Sequence, residues 1–123
     1  MPLKIKRIYD APESSDGYRL LVDRLWPRGL SREKASVDEW LRDIAPSDEL
    51  RKWFSHDRER WEEFRAKYWK ELEGKNTLVE AIRKRAAKGM VTLLYSTRET
   101  FANNAAALKE FIEQTGVSGR KKK

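Results

Sequence analysis

Two short stretches hold most of the residues able to do chemistry. The first, "DRLWPRG", sets Asp23, Arg24 and Arg28 around a Trp-Pro turn at the end of an apolar run. The second, "YSTRE", supplies Ser96, Thr97 and Arg98 after another apolar run, with Asn103 a few residues on. Guanidinium groups bind phosphate or carboxylate through paired N–H donors. Hydroxyls and the free N–H groups of a helix start add further donors. The combination suits an anion, with Arg24, Arg28, Ser96, Thr97, Arg98 and Asn103 as ligand-binding candidates. The same residues also have a bracing role: ion pairs that tie down a turn, a rigid Pro27, and Ser96 or Thr97 capping the helix that follows.

Acid–base chemistry has two candidates, Asp23 and His56. In "WFSHDRERW", Asp57 adjoins the imidazole and could tune it as a general base. The plainer reading is that Asp57 caps a helix and His56 stands in front of it. No nucleophile-elbow pattern surrounds Ser96. The chain has no cysteine and a single histidine, which excludes thiolate chemistry, disulfides and multi-His metal sites. No metal and no cofactor is expected.

These candidates need strands to carry them. Lys4 to Tyr9 alternates charged and apolar residues, as a strand with one solvated face does. Tyr18 to Arg24 and Met90 to Tyr95 read as more buried strands. The link between the first two is too short for a helical crossover, so a direct pairing of them would be antiparallel. Helical segments separate the second strand from the third, which predicts a parallel pair with both charged loops at its carboxyl end.

The middle reads as helical. "SVDE" from Ser36 has the form of a capping box, with Val37, Trp40, Leu41 and Ile44 on one face. Ser47 caps a short helix carrying Leu50, Trp53 and Phe54. Asp57 caps a longer one with Trp61, Phe64, Tyr68 and Leu72 in a stripe, closed by Gly74. Base stacking is another use for such aromatics, but helical spacing marks them as core. A second box, "TLVE" from Thr77, opens a helix with Leu78, Ile82 and Ala86 that Gly89 closes. Phe101, Ala105, Leu108 and Ile112 share one side of the last helix, which ends near Gly116. The fold class is α/β: a small single-domain layer fold of about three strands, two of them parallel, with packed helices. Residues 1–116 form the domain, and 117–123 form a basic, disordered tail.

One domain fits 123 residues. Five Trp, four Tyr and four Phe supply enough burial to fold a chain that is 38% charged. The net charge is +7, but Arg120 to Lys123 carry four of those charges and leave +3 for the body. The excess therefore belongs largely to a short tail, which weakens a nucleic-acid reading. No stretch has transmembrane length and the N-terminus lacks a signal-peptide core, so a soluble, cytoplasmic protein with no membrane partner is expected. The oligomeric state is not legible.

Taken together, "VDRLWPRG", "DEWLRDIAPS", "WFSHD" and "VTLLYSTRETFANNAAALKEFIE" resemble the uncharacterised YeaO-like branch of the domain of unknown function 488 family, over residues 4 to about 114. The resemblance implies a compact α/β fold and no established activity. Family members often carry an acidic-His-Asn run where this chain has Phe101-Ala102-Asn103, so Ala102 replaces the expected histidine. More distant relatives carry a cysteine near the end of the corresponding strand. Both departures count against a nucleophilic or His-dependent mechanism and leave the arginines and Asn103. The expected function is a pocket for a small anionic ligand, phosphorylated, nucleotide-like or carboxylated, with or without catalysis. A nucleic-acid-associated protein and a ligand-free interaction module are the alternatives.

Overall fold

Four strands form one wholly parallel sheet in the order β1-β4-β2-β3: β1 Leu3–Arg7, β2 Tyr18–Leu21, β3 Glu39–Trp40 and β4 Val91–Tyr95. The computed structural model describes residues 2–55 and 57–121, with side chains described through Thr115. Five helices complete the chain: α1 Arg32–Ala35, α2 Asp48–Phe54, α3 Trp61–Glu73, α4 Asn76–Lys88 and α5 Asn104–Lys121. The strand count exceeds the expected three because β3 joins the edge beside β2.

The last strand in sequence lies at the centre. β4 pairs with β1 from Leu3–Val91 to Arg7–Tyr95 and with β2 from Tyr18–Val91 to Leu21–Leu94. All five of its residues are buried, as a central parallel strand demands. Because β4 intervenes, β1 and β2 never meet, and the expected antiparallel pairing does not form. The link between them instead folds back over one sheet face through a 3-10 turn, Ser14–Asp16, and re-enters the sheet at Gly17. Gly17 has φ +65°, and a Cβ there would lie 2.3 Å from the Met90 carbonyl oxygen. Only glycine fits at that entry.

Side-chain alternation divides the core in two. Leu20, Val22, Val91, Leu93 and Tyr95 face α2 to α5, where Trp61, Phe64, Tyr68 and Leu72 line up on α3 as their spacing predicts. Leu21, Leu94, Ile8 and Ala35 form a smaller cluster on the other face, covered by Trp26, Leu30, Val37 and Trp40.

Four helix readings need correction, one of them the end of the last helix, which runs to Lys121 and not to the neighbourhood of Gly116. Ser36 does not open a helix; it closes α1 in the left-handed region at φ 51°. Residues 37–44 instead become β3 and a 3-10 turn, Arg42–Ile44. The Asp38 amide donates to the Arg19 carbonyl, its carboxylate accepts from the Arg19 amide, and the Leu41 amide donates to Leu21. Extended chain then sends Trp40 and Leu41 to opposite faces, each half-buried against a different core cluster, which one helical stripe cannot do. Thr77 is likewise not a cap, since α4 begins at Asn76 with Lys75 before it. Phe101 stands 65% exposed ahead of α5, whose buried face is Ala105, Leu108 and Ile112 with Ala107 and Phe111. Ser47, Asp57 and Gly89 do terminate helices or turns at the expected places.

Candidate functional site

Parallel strands bring their carboxyl ends to one edge, and there a cavity of about 380 Å³ opens. Tyr9 enters it from beyond β1, Asp23 to Arg28 from beyond β2, and Ser96 and Thr97 from beyond β4. Ala45, Pro46, Arg51 and Phe54 close one side, while Phe64, Ala102, Asn103 and Asn104 close the inner end. Of the ligand-binding candidates, Arg24, Arg28, Ser96, Thr97 and Asn103 come together around this cavity, and Asp23 joins them. Arg98 does not line it: its side chain is exposed. His56 lies outside the described residues.

Asp23 ties the two loops together. Its Oδ2 accepts from the Ser96 amide at 2.9 Å and from Ser96 Oγ at 2.8 Å. Its Oδ1 accepts from Asn104 Nδ2 at 3.2 Å, and that amide also donates to the Val22 carbonyl. Burial pushes the Asp23 carboxyl above its ordinary range, while the donors from Ser96 and Asn104 pull it part of the way back. The Asp23 carbonyl accepts from Trp40 Nε1 at 2.8 Å, so its backbone is held as well.

The loop after β4 is braced from several sides. Arg7 donates to the carbonyls of Thr97 and Ser96. Glu99 accepts from the amides of Phe101 and Ala102 and pairs with Arg58 at 3.2 Å. Thr97 Oγ1 accepts from the Glu99 amide at 3.3 Å, a local turn bond. Asn103 caps α5: its Oδ1 accepts from the Ala106 amide at 2.8 Å and its Nδ2 donates to the Glu99 carbonyl. Both ends of that buried side chain are therefore engaged. The next residue, Asn104, is the one that reaches across to the end of β2.

The arginines are less committed. Arg24 Nε donates to the Pro46 carbonyl at 3.3 Å and lies 3.8 Å from Asp48. Arg51 also pairs with Asp48, at 3.2 Å, but that carboxylate is 60% exposed and holds either partner weakly. Among the described residues the Arg28 guanidinium makes no ion pair or hydrogen bond, although Tyr9 Oη donates to the Arg28 carbonyl at 2.8 Å and fixes its backbone. Trp26 Nε1 donates to the Leu30 carbonyl and the Arg32 guanidinium sits 4.7 Å from the Trp26 ring, which locks the turn between Arg24 and Leu30. Gly29 supports that turn with φ +76°.

Arg51, Tyr9 and Phe54 escaped the sequence reading. Their neighbours mark a helix or a strand end, and only the docking of α2 against the strand ends brings them here. The arrangement places arginines without a strong carboxylate partner at the cavity and presents Ser96 as a donor to Asp23.

The profile of a family described as the inactive DUF488-N3 subclade matches residues 2–121. An uncharacterised Escherichia coli protein, YeaO, is 42% identical over 112 residues, covering 91% of this chain and 97% of its own. The uncharacterised proteins Mb3100c of Mycobacterium bovis and Rv3073c of Mycobacterium tuberculosis are each 37% identical over 110 residues, covering 89% of this chain and 92% of theirs. No solved structure matches the chain.

Proposed function

The chain belongs to the DUF488-N3 family, in the subclade described as inactive, and on that footing we propose that it binds a small anionic ligand in the cavity at the strand ends. One observation carries this reading: three arginines, Arg24, Arg28 and Arg51, line a cavity whose own carboxylate, Asp23, is turned to Ser96 and Asn104 instead. A phosphate or carboxylate group gives Arg28 a partner and gives Arg24 and Arg51 a stronger one than the exposed Asp48. Binding without turnover fits the subclade's description and the absence of cysteine. It also fits Ser96, whose hydroxyl and amide converge on a single Asp23 oxygen as a loop tie. Asp23 serves here as a buried brace rather than a free base. Among the described residues no helix is long and apolar enough to cross a membrane, and a cytoplasmic small-molecule ligand is in keeping with that.

Thermal shift and calorimetric titration with inorganic phosphate and with AMP test the reading. Stabilisation that rises with ligand concentration, and that Arg28→Gln and Arg51→Gln together remove, supports it. Titrations that are flat, or unaffected by both substitutions, overturn it.

A further inference from the structure

The cavity is charged at its mouth and apolar within. Arg28 and Arg51 are exposed at the rim, and Leu25 stands beside them 59% exposed. Phe64 and Ala102, both buried, close the inner end beside Asn103 and Asn104, and the buried Phe54 adjoins them from the side. The Phe54 and Phe64 rings stack on each other with centroids 4.3 Å apart, which holds the carbon surface they contribute in place. Pro27 and Pro46 add carbon surface on the sides. A volume of about 380 Å³ lies within the roughly 300–1,000 Å³ of small-molecule sites, well beyond what a single inorganic ion fills.

Building on the anion-binding reading, we propose that the ligand is a small organic anion with an apolar body, an aryl group for example. Its carboxylate or phosphate meets Arg28, Arg51 and Arg24 at the mouth, and its body lies against Phe54, Phe64 and Leu25. An inorganic ion uses the rim alone and leaves the apolar wall in water. An aryl group displaces that water and gains affinity in proportion to the carbon surface it covers. The headgroup sits where it keeps part of its hydration and still reaches two guanidinium forks. The buried end needs no charged partner, because Asp23 and Asn103 are already engaged with their neighbours.

Calorimetric titration of the full chain with two matched series tests this. One pairs inorganic phosphate with phenyl phosphate and the other pairs acetate with 2-naphthoate, with phenol as a neutral control. Within at least one series the aryl anion is expected to bind about tenfold or more tightly than its parent ion, and the series showing the gain names the headgroup. Leu25→Ser, at an exposed position that leaves the core intact, is expected to shrink that gain several-fold while leaving the parent ion's affinity unchanged. Equal affinity of aryl and parent ions overturns the apolar body yet leaves anion binding standing. Phenol binding as tightly as phenyl phosphate, or no binding in either series, overturns both.

Discussion

Two clusters of cations flank this sheet, and only one is complete. On the face away from α2 to α5, the fully buried Asp16 carboxylate gathers Lys4 at 3.1 Å, Lys6 at 3.0 Å and Arg19 at 2.5 Å. It also accepts from the Glu13 amide, and its own carbonyl accepts from Thr92 Oγ1. At the carboxyl edge, Arg24, Arg28 and Arg51 surround a cavity whose nearest shared carboxylate, Asp48, is largely solvated. The first cluster encloses its anion within the chain. The second has the cations and the space for an anion. Arginines around a buried carboxylate are architecture, whereas arginines around an open volume leave room for the anion proposed above.

The largest effect that would break this comparison is in the complete cluster. Asp16→Asn strips the charge from among three cations, one of them the buried Arg19, and is expected to cost about 3 kcal/mol. In thermal unfolding that corresponds to a fall of about 10 °C. A change below about 0.5 kcal/mol would mean that the cluster does not hold the fold together. Arg28→Gln, by contrast, is expected to leave stability within about 0.5 kcal/mol while weakening anion affinity about tenfold in the titrations above. Equal losses of stability from the two substitutions would erase the distinction between them.

Acid sharpens the contrast, because Asp16 and Asp23 respond with opposite sign. Burial alone would raise the Asp16 pKa, but the Glu13 amide and the cations of Lys6, Lys4 and Arg19 outweigh it and hold the carboxyl well below the usual range. Its stabilisation is therefore complete above the unfolded pKa of about 3.9 and drains away as pH falls toward the folded value. Asp23 is shifted upward, chiefly by burial, so its charged form costs stability, and that cost is removed as pH drops through its folded pKa. Urea unfolding followed from pH 7 to pH 3 should show Asp16→Asn flattening the acid loss. Asp23→Asn should instead steepen the loss, by removing the opposing contribution, with a net effect at pH 7 within about 1 kcal/mol.

The smallest expected effect concerns nucleic acid. Any gel shift at low salt should weaken steeply as salt rises, and should vanish when residues 120–123 are removed, because four of the seven net positive charges sit there. Retention of full affinity by the truncated chain would move the nucleic-acid surface onto the fold.

Much of this site was legible from local pattern. Each of the loops beginning at Asp23 and Ser96 follows an apolar run, and parallel pairing of β2 and β4 brings them to one edge. What local pattern does not carry is the insertion of β4 between β1 and β2, which depends on partners more than seventy residues apart. Ser36 shows the same limit. Its capping-box spacing is real, but sheet pairing by Asp38 and Leu41 outweighs one helix signal. Arg98 and Asn103 had the right side chains in the right loop. Their roles were settled by orientation, one outward to solvent and the other engaged in capping α5.

The Trp26 side chain carries a consequence beyond holding its turn. It contacts Trp40 edge-on at 5.5 Å, and together they cover the small cluster beneath which β3 is only two residues long. The segment that forms the mouth of the cavity is thus also the roof over the thinnest part of the sheet. Opening it would expose the Asp38 and Leu41 amides that flank β3 to exchange with solvent, and the proposed ligand, bridging Arg24 and Arg28, would hold it shut. Slowed deuterium uptake at Asp38 and Leu41 would then report occupancy of a cavity that neither residue touches.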